Sequence, residues 1–338
     1  MELKAKISKI HYDKSSKSPL LPLLEFCSVF YDVGSRLKNY LYQINILKPK
    51  KVNAYVVSVG NLTTGGVGKT PFVAELVKGF QGQGKRVCIV SRGYGGKLKG
   101  VNIISDGKQV FYNADKAGDE PYWLATNTTA VVVTSPLRYD GAKLAIEKYG
   151  VDVIILDDGF QHRKLYRDLN ILLIDSEKQF GNEKVLPAGP LRECVGEIRR
   201  ADRIVVVSKN IDHANAKKYA LNLYEEYKMP VSLCCIEPDF VYNIFDEQKR
   251  LQDGERVVAF SAIGQPQQFY KFLTNYDVVK TYDYNDHHAY EQKDFDDLEA
   301  LKLPLITTEK DAVKCRNLKL SQNVYALKLR LRIEDIVL

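Results

Sequence analysis

Gly65-Gly66-Val67-Gly68-Lys69-Thr70 has the residue types and spacing to hold the phosphates of a nucleoside triphosphate. Gly65, Gly66 and Gly68 allow backbone N–H groups to close around phosphate oxygens, with Thr64 and Val67 completing the loop. Lys69 supplies a point charge for the β- and γ-phosphates, and the Thr70 hydroxyl can ligate Mg²⁺. The apolar run at residues 55–59 predicts a strand entering this turn, and Gly68-Lys69-Thr70 predicts a helix leaving it. The usual spacing places glycine five residues before Gly68; here that position is Thr63.

A second signal follows the apolar run at residues 151–156, which ends in Asp157-Asp158-Gly159. Acid at the end of a buried strand is the arrangement that sets a carboxylate beside a phosphate loop to hold Mg²⁺, directly or through water. Gly118-Asp119-Glu120-Pro121 is another acidic pair, and Asp-Glu before proline equally suits the start of a helix. Residues 186–193 read as a rigid loop feeding a helix N-terminus, with Arg192 near its start. A cation there opposes the helix dipole, which suits a phosphate partner better than local stability. The pair His287-His288 shows no third ligand that would make a metal site.

The elements that must position these residues alternate. Strands are predicted at residues 55–59, 86–91, 130–134, 151–156, 170–175 and 204–208, with helices at 71–80 and 139–149. Continuous rather than alternating apolar runs argue for a parallel sheet covered by helices on both faces. Past Met229-Pro230, residues 231–236 and 241–245 read as an extended connector. A second set follows: strands at 257–260, 278–282, 305–307 and 324–329, and helices around 267–274 and 294–301. The expected fold is an α/β, P-loop NTPase-type, mainly parallel sheet with a smaller C-terminal α/β domain and an N-terminal amphipathic helix. Its parts are residues 1–45, 46–230 and 231–338.

The 338 residues suffice for two cores, and a composition of 45% hydrophobic and 27% charged residues is that of an ordinary globular chain. The net charge of +7 suits an anionic partner and equally a mildly basic surface. Six scattered cysteines, without a C-x-x-C pair, support neither a disulfide framework nor a metal site. No uncharged apolar run approaches the ~20 residues a membrane span needs. Near the N-terminus, however, Leu23, Phe26, Phe30, Val33, Leu37 and Tyr40 recur at spacings of three and four, after a basic arm of Lys4, Lys6, Lys9, Lys14 and Lys17. Such a stripe fits either an interfacial membrane helix or a helix packed on the core.

Taken in order, seven motifs resemble the tetraacyldisaccharide 4′-kinases of lipid A biosynthesis. They are residues 60–71, Ser91-Arg92-Gly93-Tyr94-Gly95, Gly118-Asp119-Glu120-Pro121, Asp157-Asp158-Gly159-Phe160-Gln161-His162, residues 186–193, Asp286-His287, and Thr308-Glu309-Lys310-Asp311-Ala312. The resemblance implies transfer of the γ-phosphoryl of ATP, with Mg²⁺, to the 4′-hydroxyl of an acylated glucosamine disaccharide 1-phosphate, giving lipid IVA. It also implies a monotopic enzyme on the cytoplasmic face of the bacterial inner membrane, which moves the N-terminal stripe towards the interfacial reading. Residue by residue it implies Asp119 as the base, with His287 assisting; Lys69, Thr70 and Asp158 on phosphates and Mg²⁺; Glu120 around the metal; and Arg192 against the charge of the transferring group. Asp157, Arg138, Glu193 and His288 are further candidates.

Two other readings stand beside it. A membrane-associated regulatory P-loop ATPase without a small-molecule acceptor typically carries a lysine directly before the Gly-Gly pair, where this chain has Thr64. A GTPase needs an N-K-x-D motif, which Thr308-Glu309-Lys310-Asp311 only mimics. No basic-aromatic module of a known nucleic-acid-binding type is present, so nucleic acid is not an expected partner.

Overall fold

The computed structural model describes residues 7, 10–13, 18–210, 212–264, 266–285, 288–316 and 318–337. The chain divides into two compact units: one of residues 1–208, 214–234 and 333–338, the other of residues 209–213 and 235–332. The basic-arm lysines Lys4, Lys6, Lys9, Lys14 and Lys17 lie outside the described residues.

In the larger unit β1 (Tyr55–Gly60) is central, pairing in parallel with β5 (Val153–Asp157) on one side and β6 (Leu169–Asp175) on the other. Outward from β5 lie β2 (Val87–Ser91) and β4 (Val131–Thr134), again parallel. Outward from β6 lies β7 (Arg203–Ser208). These strands are buried nearly throughout, which is why their sequences are continuous apolar runs rather than alternating ones. One strand was not foreseen: β3 (Asn102–Asp106) lies at the edge, antiparallel to β4. An edge strand packs one neighbour only, so Asn102-Ile103-Ile104-Ser105-Asp106 carries too little apolar periodicity to stand out.

Helix α1 (Leu21–Gln43) precedes the sheet. Then come α2 (Lys69–Gly82), α3 (Asp119–Asn127), α4 (Arg138–Tyr149) and α5 (Ala214–Tyr227). The core between β1, β2, β4, β5 and α4 is built of Val56, Cys88, Val90, Val133, Ala142, Ile154, Leu156 and their neighbours. Helix α2 starts at Lys69, two residues before the predicted start. Gly68, at φ 99°, turns the chain sharply enough to begin helical bonding at once.

The smaller unit places β9 (Arg256–Ser261) between β10 (Asp277–Asp283) and β11 (Leu305–Thr308), and β11 beside β12 (Val324–Val337), all in parallel. The two predicted connector pieces are one strand, β8 (Val231–Asn243). Glu237-Pro238-Asp239 reads as a break, yet the strand runs through it, with Pro238 where the strand is exposed. The predicted helices at 267–274 and 294–301 are shorter: Pro266–Lys271, and a 3₁₀ turn at Gln292–Phe295 running into Asp296–Glu299. Phe260, Tyr290 and Phe295 stack edge-on at the centre of this unit's core.

Candidate active site

The carboxyl ends of the central parallel strands carry the chemistry, the usual place for ligands in such sheets. Gly60 closes β1 against the turn after β5: a Cβ there would meet Phe160 Cβ at 2.6 Å and Phe160 N at 2.7 Å. That close approach sets the phosphate loop beside Asp157 and Asp158. Within the loop only Gly65 (φ 107°) and Gly68 (φ 99°) need the left-handed region. Thr63 instead makes a bridge to Leu191, so glycine is not required at that position. Gly65 and Gly66 are exposed, Val67 is buried, and Thr70 is half-buried in the first turn of α2. No side chain caps that helix start, leaving its first N–H groups for an anion.

Lys69 Nζ reaches two groups: Asn61 Oδ1 at 3.1 Å and a carboxylate oxygen of Asp158 at 3.4 Å. Arg192 donates to the other oxygen of Asp158 at 2.7 Å. Burial would push the Asp158 carboxyl up, but Lys69 and Arg192 together hold it down at about 2. Asp158 takes this geometry at φ 53°, in the left-handed region that Asp tolerates better than most residues. Asp157 is the opposite case. It is buried, and burial, Glu120 and Asp158 push its carboxyl well above the ordinary carboxylate range. One oxygen accepts from Ser91 Oγ at 3.1 Å; the other is buried with no hydrogen-bond partner.

Arg192 lies shortly before a helix start, as the sequence suggested, but not an α-helical one. The helix after the loop is only a 3₁₀ turn, Val195–Arg200, so Arg192 lies on irregular chain, its N–H bonded to Leu62 O at 2.7 Å. That bond ties it to the strand–loop junction and aims the guanidinium at Asp158. Glu193 turns the other way and is buried, accepting from Asn39 Nδ2 at 3.0 Å and from Arg200. Gln161 links Glu193 to the carbonyl of Asn61, at 3.4 and 2.9 Å. Arg138 is buried at the start of α4, lowered from the usual guanidinium value by burial against the pull of Asp157 and Asp158. It donates Nη1 to Ser135 O, and its Nε has no hydrogen-bond partner.

Asp119 and Glu120 open α3. Gly118, at φ 94°, makes the turn, and a Cβ there would strike Tyr94 O at 2.6 Å. His287 lies outside the described residues. His288, in the smaller unit, pairs with Asp294 at 2.9 Å and stacks on Tyr284. Thr308-Glu309-Lys310-Asp311 is in part a helix cap. The Thr308 hydroxyl accepts from Asp311 N and donates to the Asp311 carboxylate, which also takes Ala262 N–H. Sequence reasoning assigned no role to Asn61, Ser91, Gln161 or Asn39. The first three lie inside recognised motifs, whereas Asn39 carries no local signal at all.

Helix α1 does not pack its apolar stripe on the core. Its buried residues are Ser28 and Asn39, while the stripe from Leu23 to Tyr40 faces outward, with Phe26 64% and Phe30 66% exposed. Ser28 Oγ has Leu24 O at 2.9 Å and Val185 O at 3.0 Å as acceptors for its single proton and accepts from Ala188 N, fixing the helix to the loop that carries Arg192. No helix among the described residues is long and apolar enough to cross a membrane.

The profile of the tetraacyldisaccharide-1-P 4′-kinase family matches residues 20–337. The chain belongs to the tetraacyldisaccharide 4′-kinase family. Among similar members, the tetraacyldisaccharide 4′-kinase of Aquifex aeolicus (strain VF5) is 40% identical over 326 residues, covering 94% of this chain and 95% of its own. That of Syntrophus aciditrophicus (strain SB) is 37% identical over 343 residues, covering 95% and 91%. The crystal structure of LpxK from Aquifex aeolicus in complex with ATP matches with a TM-score of 0.74 at 36% identity, covering 93% of this chain and 94% of that one.

Proposed function

We propose that this chain transfers the γ-phosphoryl group of ATP to the 4′-hydroxyl of tetraacyldisaccharide 1-phosphate, giving lipid IVA. The observation that carries the reading is the Lys69–Asp158–Arg192 cluster at the phosphate loop of a chain in this family. Phosphoryl transfer asks a protein mainly for positioning and charge stabilisation. The loop amides and the first turn of α2 bind the triphosphate, Lys69 meets the β/γ-oxygens, and Arg192 offsets charge on the group in flight. A sugar hydroxyl is a poor nucleophile, and Asp119 is the carboxylate we assign to take its proton.

The donor set fits Mg²⁺. Among the described residues no three His, Cys, Asp or Glu side chains could hold a metal by themselves. A phosphate-bound Mg²⁺ needs fewer protein ligands, since it keeps waters and takes phosphate oxygens. The unpartnered buried oxygen of Asp157, the Thr70 hydroxyl and Asp158 are the groups that would hold it, with Glu120 nearby in charge. When bound it would neutralise charge building on the phosphates.

We also assign the protein to the cytoplasmic face of the bacterial inner membrane, held peripherally. The outward apolar stripe of α1 supports this: a helix docked through Ser28 and Asn39 leaves its aromatic side for lipid tails. An acylated acceptor would then be met at the surface where it resides.

The test is labelled ATP with tetraacyldisaccharide 1-phosphate in mixed micelles. Labelled lipid formed only with divalent metal supports the reading. ATP hydrolysis that ignores the acceptor and labels no lipid points instead to a regulatory ATPase.

A further inference from the structure

Residues 10–13 precede the stretch matched by the family profile, yet they sit directly on the phosphate loop. Ile10, His11 and Tyr12 form one helical turn, and Ile10 and His11 are buried. Three bonds seat this turn on the loop that follows β6. Asn182 gives its N–H to His11 O at 2.8 Å and its side-chain Nδ2 to Ile10 O at 3.0 Å, and His11 Nε2 donates to Pro187 O at 3.0 Å. Gly181 leaves the room for this: a Cβ there would meet His11 O at 2.5 Å. Seated so, Tyr12 donates its hydroxyl to the carbonyl of Thr64 at 3.1 Å. Lys178 Nζ lies 4.7 Å from the centre of the Tyr12 ring, and burial, followed by Asp175, raises the phenol above its usual value, so it stays a donor at neutral pH.

Thr64 is thereby held from two directions, because its N–H also bonds Pro190 O at 2.8 Å. In a trans peptide the carbonyl and the following N–H point in opposite directions. Fixing Thr64 O on Tyr12 therefore aims the Gly65 N–H from the opposite edge of that peptide plane. Gly65 sits at φ 107°, where nothing intrinsic to glycine would hold a single orientation. We propose that Tyr12 is a positioning residue: its bond to Thr64 O pre-orients the Gly65 amide for a nucleotide phosphate. The proposal rests on the ATP-binding reading above. Pre-orientation cuts the ordering cost of binding, so the effect belongs on phosphate affinity rather than on the acceptor or the chemical step.

The test compares full-length wild type with Tyr12→Phe, which removes one oxygen and keeps the ring under Lys178. Calorimetric affinities for ATP, ADP and adenosine are the primary readout, with Tm measured without ligand and steady-state kinetics for both substrates. ATP and ADP should bind roughly twofold to tenfold more weakly, within what one neutral hydrogen bond can supply. Adenosine affinity, ligand-free Tm, kcat and the KM for lipid should stay at wild-type values, and the KM for ATP should rise in step. Deleting residues 1–13 should reproduce the phosphate-specific loss. Unchanged ATP affinity in Tyr12→Phe overturns the proposal, as does a loss shared equally by adenosine or a fall in ligand-free Tm that explains it. A wild-type protein that binds no ATP would bring down the kinase reading, whereas normal wild-type binding with an indifferent variant removes only the role of Tyr12.

Discussion

Lys69 and Asp158 form an ion pair, Nζ to carboxylate oxygen 3.4 Å, so the cation expected on the phosphates is matched by an acid within its own site. Arg192 closes on the same acid at 2.7 Å. Under the proposed function, a triphosphate would compete with Asp158 for these two cations. The Asp158 carboxylate would then be available to help hold a divalent cation.

Lys69→Ala and Asp158→Asn should each lower turnover by about 10²-fold or more, since each removes a charge beside the reacting phosphates. They should differ in binding: Lys69→Ala weakens ATP affinity, while Asp158→Asn, by freeing Lys69 and Arg192, does not. The double variant should lose less than the product of the single losses, because the residues act as a unit. Steady-state kinetics with direct ATP titration decides this. Near-normal turnover in either single variant contradicts the assignment of the loop.

Asp157 gives a prediction with a definite sign in pH. Its folded carboxyl lies above its unfolded value, raised by burial, Glu120 and Asp158. The folded protein thus holds this proton more tightly than the unfolded chain, and stability is lost as pH rises through the folded value. Asp157→Asn removes that burden. The variant should melt higher than wild type at about pH 8, converge with it below about pH 3 where both states of the wild-type carboxyl are protonated, and lose activity throughout. Melting curves across this range check it; an Asn variant less stable at the alkaline end shows that the buried charge is compensated.

For α1, deleting residues 1–45 would mix two effects, because Ser28 and Asn39 are buried partners of the loop at 185–193. Losing Asn39 alone strips a hydrogen bond from the buried Glu193, a change worth roughly 1–3 kcal/mol of stability. Replacing Phe26, Phe30 and Val33 together by serine touches only the exposed stripe. That variant should release from anionic lipid vesicles in flotation while Tm and ATP affinity hold. Undiminished flotation places the membrane contact elsewhere.

What could be read in the sequence, and what could not, follows from how each signal is encoded. The phosphate loop and Asp157-Asp158 were legible because strand, turn and helix chemistry lie within a dozen contiguous residues. The α1 stripe was legible as a pattern, but periodicity alone does not say which face is buried. Ser28 and Asn39 decide that through partners 157 and 154 residues away. Separations of 34 and 52 residues likewise hid the Arg192–Asp158 pair and the Tyr12–Thr64 bond. The edge strand β3 and the uninterrupted β8 were missed where partial exposure weakens the apolar pattern.

Asp119, which we assign as the base, stands at the first position of α3 behind the turn made by Gly118. If Asp119 takes the proton of the sugar hydroxyl, Asp119→Asn keeps the shape and loses the proton acceptor. Its kcat should fall by about 10²–10⁴-fold, the usual contribution of a general base, with ATP affinity unchanged. The histidines then separate. His288 is engaged by Asp294 and Tyr284, so His288→Ala should show mainly in Tm. His287→Ala should lower kcat, and joining it to Asp119→Asn should cost less than the product of the two losses if they work as one unit. Rates in saturating ATP with the lipid acceptor, alongside melting curves, provide both readings. Should Asp119→Asn keep most of its kcat, Gly118-Asp119 is a helix-start turn and the base must be sought elsewhere.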